Sequence, residues 1–172
     1  MGTPQAAIPP VTVPGECVAD AFADRAPSTS KELTLRVLPG GGPANTATTL
    51  ARLGTPTRFL GRISEDLFGA LFRSRLGAAG VDLTGCVPAP EHSTLAVADL
   101  DAEGKAAYTF YADGSADWQW TARELTAASE QETACVHTGS LALVSRPGGV
   151  RVEQYLHALR ARATISVDPN VR

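Results

Sequence analysis

At 172 residues, with a net charge of −3 and 44% hydrophobic residues, the chain can build one domain with a substantial core. That charge offers no basic field to nucleic acid or an anionic membrane, and no apolar run approaches the roughly 20 residues a membrane helix needs. Met1 to Pro10 lacks the basic and apolar regions of a secretory signal. Cys17, Cys86 and Cys135, odd in number and without a CxxC pair, read as reduced core residues of a cytoplasmic protein.

Residues 1–10 carry three prolines and are expected to form a flexible tail ahead of a domain over 11–172. Val11 to Val13 opens a strand, and Gly15 to Asp20 runs on from it, where ligands sit in parallel α/β sheets. Asp20 there is either an acceptor for sugar hydroxyls or a turn residue before Ala21–Arg25. Leu33, Leu35 and Val37 alternate with Thr34 and Arg36, the pattern of a strand with one solvated face.

Pro39-Gly40-Gly41-Gly42-Pro43-Ala44-Asn45 follows. Glycines without Cβ let a ligand approach the backbone, and Pro43 suits the first turn of a helix. Ala47, Leu50 and Ala51 recur at helical spacing, and Gly54 is a fitting stop. A glycine loop feeding a helix N-terminus presents free N–H groups, and the Asn45 amide can both donate and accept. The stretch suits a polyhydroxylated or anionic small molecule, or it is simply a tight turn.

Thr57 to Leu60 reads as a strand, and Ser64 or Asp66 as the cap of a helix whose apolar stripe is Leu67, Phe68, Leu71, Phe72, Leu76 and Ala79. Thr94 to Leu100 and Ala106 to Tyr111 flank Asp101-Ala102-Glu103-Gly104-Lys105 as a hairpin. With Leu33–Val37 it is expected to form a small antiparallel sheet, able to lie over a site as a lid (strands about 33–38 and 94–111). Thr121-Ala122-Arg123-Glu124 has capping-box spacing, and Ala134 to Thr138 is a strand. Val152, Tyr155, Leu156 and Leu159 make a helical stripe, and Thr164 to Val167 closes a right-handed βαβ unit.

In this order, Gly15-Glu16 to Asp20, Gly40 to Asn45, Phe59-Leu60-Gly61-Arg62-Ile63-Ser64-Glu65-Asp66-Leu67-Phe68-Gly69, and Gly80-Val81 resemble the PfkB (ribokinase-like) carbohydrate kinases. Thr94 to Tyr111, Gly139-Ser140-Leu141 and Asp168-Pro169-Asn170-Val171-Arg172 look like the fructokinase branch. The resemblance implies a doubly wound, mostly parallel α/β sheet with an antiparallel β lid, truncated before the C-terminal ATP-binding half. It implies sugar contacts from Asp20, Gly41, Gly42, Asn45, Tyr111 and Arg172, with Asn170 and Arg172 directed at nucleotide or phosphate. Arg172 would position the transferring phosphoryl group, or it is a solvated terminus. ATP and Mg²⁺ are the implied cofactors, a small sugar the partner, and a homodimer through the β lid a further expectation.

Some sugar-acid kinases of that family carry arginine just after the lid tyrosine, where this chain has Ala112, which favours a neutral hexose or pentose. The anion hole, general base and adenine pocket would lie beyond residue 172. No G-x-x-x-x-G-K-[ST] run replaces them, and His92, His137 and His157 suit neither a triad nor a metal site. The expected activity is thus ATP-dependent phosphorylation of a sugar hydroxyl, with this chain as the sugar-binding half and not active alone. The alternatives are a non-catalytic sugar-binding or regulatory module, or a degenerate kinase fragment.

Overall fold

The computed structural model describes residues 8–100 and 106–170. Most of the expected N-terminal tail therefore lies outside the described residues. The central sheet is parallel, in the order β10-β9-β1-β4, built from β1 (Val11–Pro14), β4 (Thr57–Leu60), β9 (Cys135–Gly139) and β10 (Thr164–Asp168). Side chains alternate along each strand, so one strand feeds two cores. Phe59 packs with Val13, Ala44, Ala47, Phe72 and Leu76 under α1 (Gly42–Arg52) and α2 (Leu67–Ala78). Its neighbour Leu60 packs with Leu125, Val136, Val152 and Leu159 under α3 (Ala122–Ser129) and α5 (Gly148–Leu159). This is a doubly wound α/β arrangement, with helices on both faces of a parallel sheet.

Local chemistry explains the helix limits. Pro43 sits in the first turn of α1, and Gly54 adopts φ +84° just past its end. Thr121 and Glu124 form a complete capping box on α3. Asp66 caps α2 by accepting from the Gly69 amide at 2.8 Å. The expected stripe of α2 needs correction, because Leu67 is 81% exposed while Gly69, Phe72 and Leu76 are buried. A Cβ on Gly69 would lie 1.8 Å from the Ser64 carbonyl oxygen. The first turn therefore docks through Gly69, and Leu67 turns outward.

Beside α2, β5 (Arg62–Ser64) pairs with β6 (Val87–Ala89). Arg62, buried here, donates to both carboxylate oxygens of Glu91 and to Glu124 and the Ala116 carbonyl. A fork of donors matched by carboxylates is what makes a buried cation tolerable.

The second sheet runs β3-β2-β7-β8, from β2 (Val18–Thr29), β3 (Glu32–Gly40), β7 (Thr94–Leu100) and β8 (Ala106–Tyr111). Its outer pairs are antiparallel, but β2 and β7 run parallel, with Val18 opposite Thr94. The antiparallel lid that the sequence implies thus contains one parallel pair, and β2 continues through Ala21–Arg25, a stretch without a strand pattern in the sequence. Both central strands leave the core at the same level in the same direction, which forces the parallel pair. The alanines at 19 and 21 are fully buried, although their small side chains make a weak alternating signal. Cys17 is buried, Cys86 and Cys135 half-buried, and all three are free thiols.

Candidate functional site

A cleft of about 470 Å³ opens where the second sheet overhangs the carboxyl end of the first. Its floor is the glycine loop. Gly41 adopts φ +99°, and a Cβ there would come within 2.5 Å of the Glu16 carbonyl oxygen, so the Gly15–Cys17 segment lies against it. A Cβ on Gly40 would lie 2.0 Å from Asp20 Oδ2, which sets the Asp20 carboxylate against bare backbone. No side chain caps α1 from its N-cap position, Gly41, and the Gly42 amide donates instead to the buried Glu16 carboxyl.

Asp20, Phe22, Tyr108 and Phe110 form the roof, each projecting from the same face of β2 or β8. The Tyr108 and Phe110 rings stack with centroids 6.2 Å apart, and Arg36 lies over the Phe22 ring at 5.3 Å. His137, Asp168 and Asn170 close the far end, with His137 Nδ1 3.0 Å from Ser166 Oγ. Asn45 also lines the cleft, and its Oδ1 accepts from Arg75 Nη2 at 2.9 Å.

Burial dominates the electrostatics. Partial burial holds the Asp20 carboxyl above its ordinary value. Burial pushes Glu16 up to about 7, Asp117 nearby adds to the rise, and the amides of Glu16 and Gly42 oppose it. Glu16 Oε2 is buried without a hydrogen-bond partner. Asp117, itself pushed to about 6 by burial, accepts from the Cys17 amide at 2.8 Å and from Thr94 Oγ1 at 2.7 Å. It thereby pins the roots of β2 and β7 to the core, where the overhanging sheet begins.

The structure thus brings Asp20, Gly41, Gly42, Asn45 and Asn170 to one cleft. Tyr111 does not line it, because strand alternation turns it to the opposite face of β8 from Tyr108 and Phe110. Arg172 lies outside the described residues. Sequence reasoning missed Glu16, Tyr108, Phe110 and His137. The Tyr108-x-Phe110 spacing was the available signal for the roof, since residues two apart on a strand share a face. A second groove of about 470 Å³ is lined by Leu143, Glu153, Leu156, His157, Arg160 and Ile165.

Residues 10–172 match the profile of the pfkB family carbohydrate kinase. The chain belongs to this family. It is 34% identical over 158 residues to a fructokinase of Rhizobium leguminosarum bv. trifolii, covering 91% of this chain and 48% of that protein. It is 35% identical to a fructokinase of Escherichia coli, over 90% of this chain and 50% of the other. Among solved structures, fructokinase from Xylella fastidiosa superposes with a TM-score of 0.85 at 27% identity, over 94% of this chain and 52% of that one. A form of the same enzyme with bound ATP gives 0.85 at 25% identity, over 96% and 53%. The chain spans about half the length of the curated relatives it matches. PfkB carbohydrate kinases are phosphotransferases, so kinase membership is established at the level of the family.

Proposed function

We propose that the cleft binds a neutral sugar, fructose or a similar hexose or pentose, as the sugar-binding half of an ATP-dependent kinase. The observation that carries this reading is the chemistry of the lining. Asp20 supplies an acceptor for sugar hydroxyls, Asn45 and the Gly41 amide supply donors, Gly42 gives close access to the backbone, and Tyr108 and Phe110 offer apolar faces to the ring. Asp20 and Asp168 put two carboxylates into the lining beside the buried carboxyl of Glu16, and the described lining residues include no lysine or arginine. Such a lining repels sugar acids and sugar phosphates. The 34% and 35% identities to fructokinases support the same substrate class.

A triphosphate does not fit this carboxylate-rich lining, and the described residues hold no cluster of three metal-ligating side chains. ATP, Mg²⁺ and the general base are therefore assigned to the half of the relatives that this chain does not span, and Asn170 and Arg172 are the residues we propose for contact with the phosphates. No transfer step is derived through the residues present. On this reading the isolated chain binds sugar without turning it over, as a non-catalytic sugar-binding module also would. β3 is an outer strand with Leu33 and Leu35 exposed, which supports pairing of two lids into a homodimer, measurable by sedimentation.

The test is a thermal melt of the 172-residue chain with fructose, ribose, glucose, 2-keto-3-deoxygluconate and adenosine. A sugar at 100 times its Kd stabilises the folded form by about 2.7 kcal/mol, or a midpoint rise of roughly 5–10 °C. A shift with a neutral sugar and none with 2-keto-3-deoxygluconate is the expected outcome. A cooperative melt that no sugar moves refutes sugar binding, and a melt without a cooperative transition identifies a degenerate kinase fragment.

A further inference from the structure

We infer that Arg75 is a positioning residue that locks the side-chain amide of Asn45 so that it meets a ligand only as a donor. The inference rests on the sugar-cleft reading for its consequence, but its geometry stands apart from it. Arg75 lies on α2, outside the cleft lining. Its Nη2 donates to Asn45 Oδ1 at 2.9 Å, and its Nη1 donates to the carbonyl of Pro39. One planar cation therefore ties together the residues that flank Gly40, Gly41 and Gly42.

Chemistry fixes the orientation of the amide. A guanidinium carries five N–H donors and no acceptor, so only the oxygen of Asn45 can face it. The Nδ2 group is then left for the cleft. A free asparagine can rotate its amide and serve as donor or acceptor, whereas this one cannot. Beside it, Asp20 accepts when ionised. The pair reads one ligand oxygen as an acceptor and another hydroxyl as a donor, a requirement met by a polyol. The same clamp restrains the run of three glycines, which has the greatest backbone freedom to lose on ordering.

The direct test is nuclear magnetic resonance of the Asn45 side-chain NH₂ in the unliganded chain. The wild type is expected to give one restrained pair of resonances, and Arg75→Ala an averaged, mobile pair. Arg75→Met, which keeps the aliphatic stem, serves the same comparison if the alanine variant does not fold. For fructose, titration calorimetry is expected to show about a tenfold weaker Kd in Arg75→Ala and no further loss when Arg75→Ala is added to Asn45→Ala. Asn45→Asp keeps an acceptor for Arg75 but removes the donor, so it too should lose affinity. An Asn45 NH₂ signal unchanged by the loss of Arg75 overturns the inference, as do additive effects of the two alanine variants. If the wild type binds no sugar, the sugar reading falls, while the resonance comparison still decides whether Arg75 holds Asn45.

Discussion

Replacing Glu16 by glutamine should stabilise the protein at alkaline pH, although it removes a native carboxylate. Glu16 ionises at about 7 in the folded chain against an ordinary value of 4.5, chiefly because it is buried. Between those values the folded state keeps a proton that the unfolded chain has released, so stability falls as pH rises. A difference of about 2.5 in pKa corresponds to a loss of about 3 kcal/mol, absent below pH 4.5 and complete above pH 7. The glutamine amide puts an N–H where protonated Glu16 puts an O–H, so variant and wild type should match within about 1 kcal/mol at pH 5. In urea at pH 8, with a slope of about 2 kcal/mol per molar, the E16Q midpoint should exceed the wild-type midpoint by roughly 1.5 M. Asp117, at about 6 against an ordinary 3.8, keeps some acid stabilisation between those values in both proteins. An E16Q variant with undiminished dependence between pH 5 and 8, or one less stable than wild type at pH 8, refutes the assignment.

The roof and the helix packing give further tests. Tyr108→Ala or Phe110→Ala should reduce the fructose-induced rise in melting midpoint by at least half, while Tyr111→Ala, on the other face of β8, leaves it unchanged. Gly69→Ala should cost roughly 2 kcal/mol or more, seen as a lower melting midpoint, because its Cβ would lie 1.8 Å from the Ser64 carbonyl oxygen. Gly77→Ala in the same helix meets nothing within 4 Å and should instead stabilise by about 0.5–1 kcal/mol. Opposite signs at two glycines of one helix would separate packing from propensity.

Much of the architecture was legible because local signals agreed. The stripe of Val152, Tyr155, Leu156 and Leu159 is buried, as its spacing implied. The Thr121–Glu124 box and the Gly54 stop are written in a few adjacent residues, and short-range hydrogen bonds realise them. Leu67 shows where the pattern fails. Its helical spacing fits the stripe, but the docking of Gly69 on Ser64 decides the rotation of α2. The 12-residue strand β2 was illegible for another reason. Alanine at its buried positions carries little hydrophobic contrast, and its pairing with β3 and β7 is supplied by distant segments.

By itself the sequence determined the glycine loop, the helix it opens, the alternation of strands and helices, and the order of parts that marks a PfkB kinase. These depend on backbone freedom, caps and periodicity, which act over a few residues. Only the tertiary structure decided which aromatic residues of β8 roof the cleft, that Glu16 is buried with an unpartnered oxygen, and that Arg75 reaches Asn45 from another helix. Those outcomes depend on strand register and on which segments cross. A one-residue change of register exchanges the faces of a strand, and burial is a property of the neighbours a residue meets after folding.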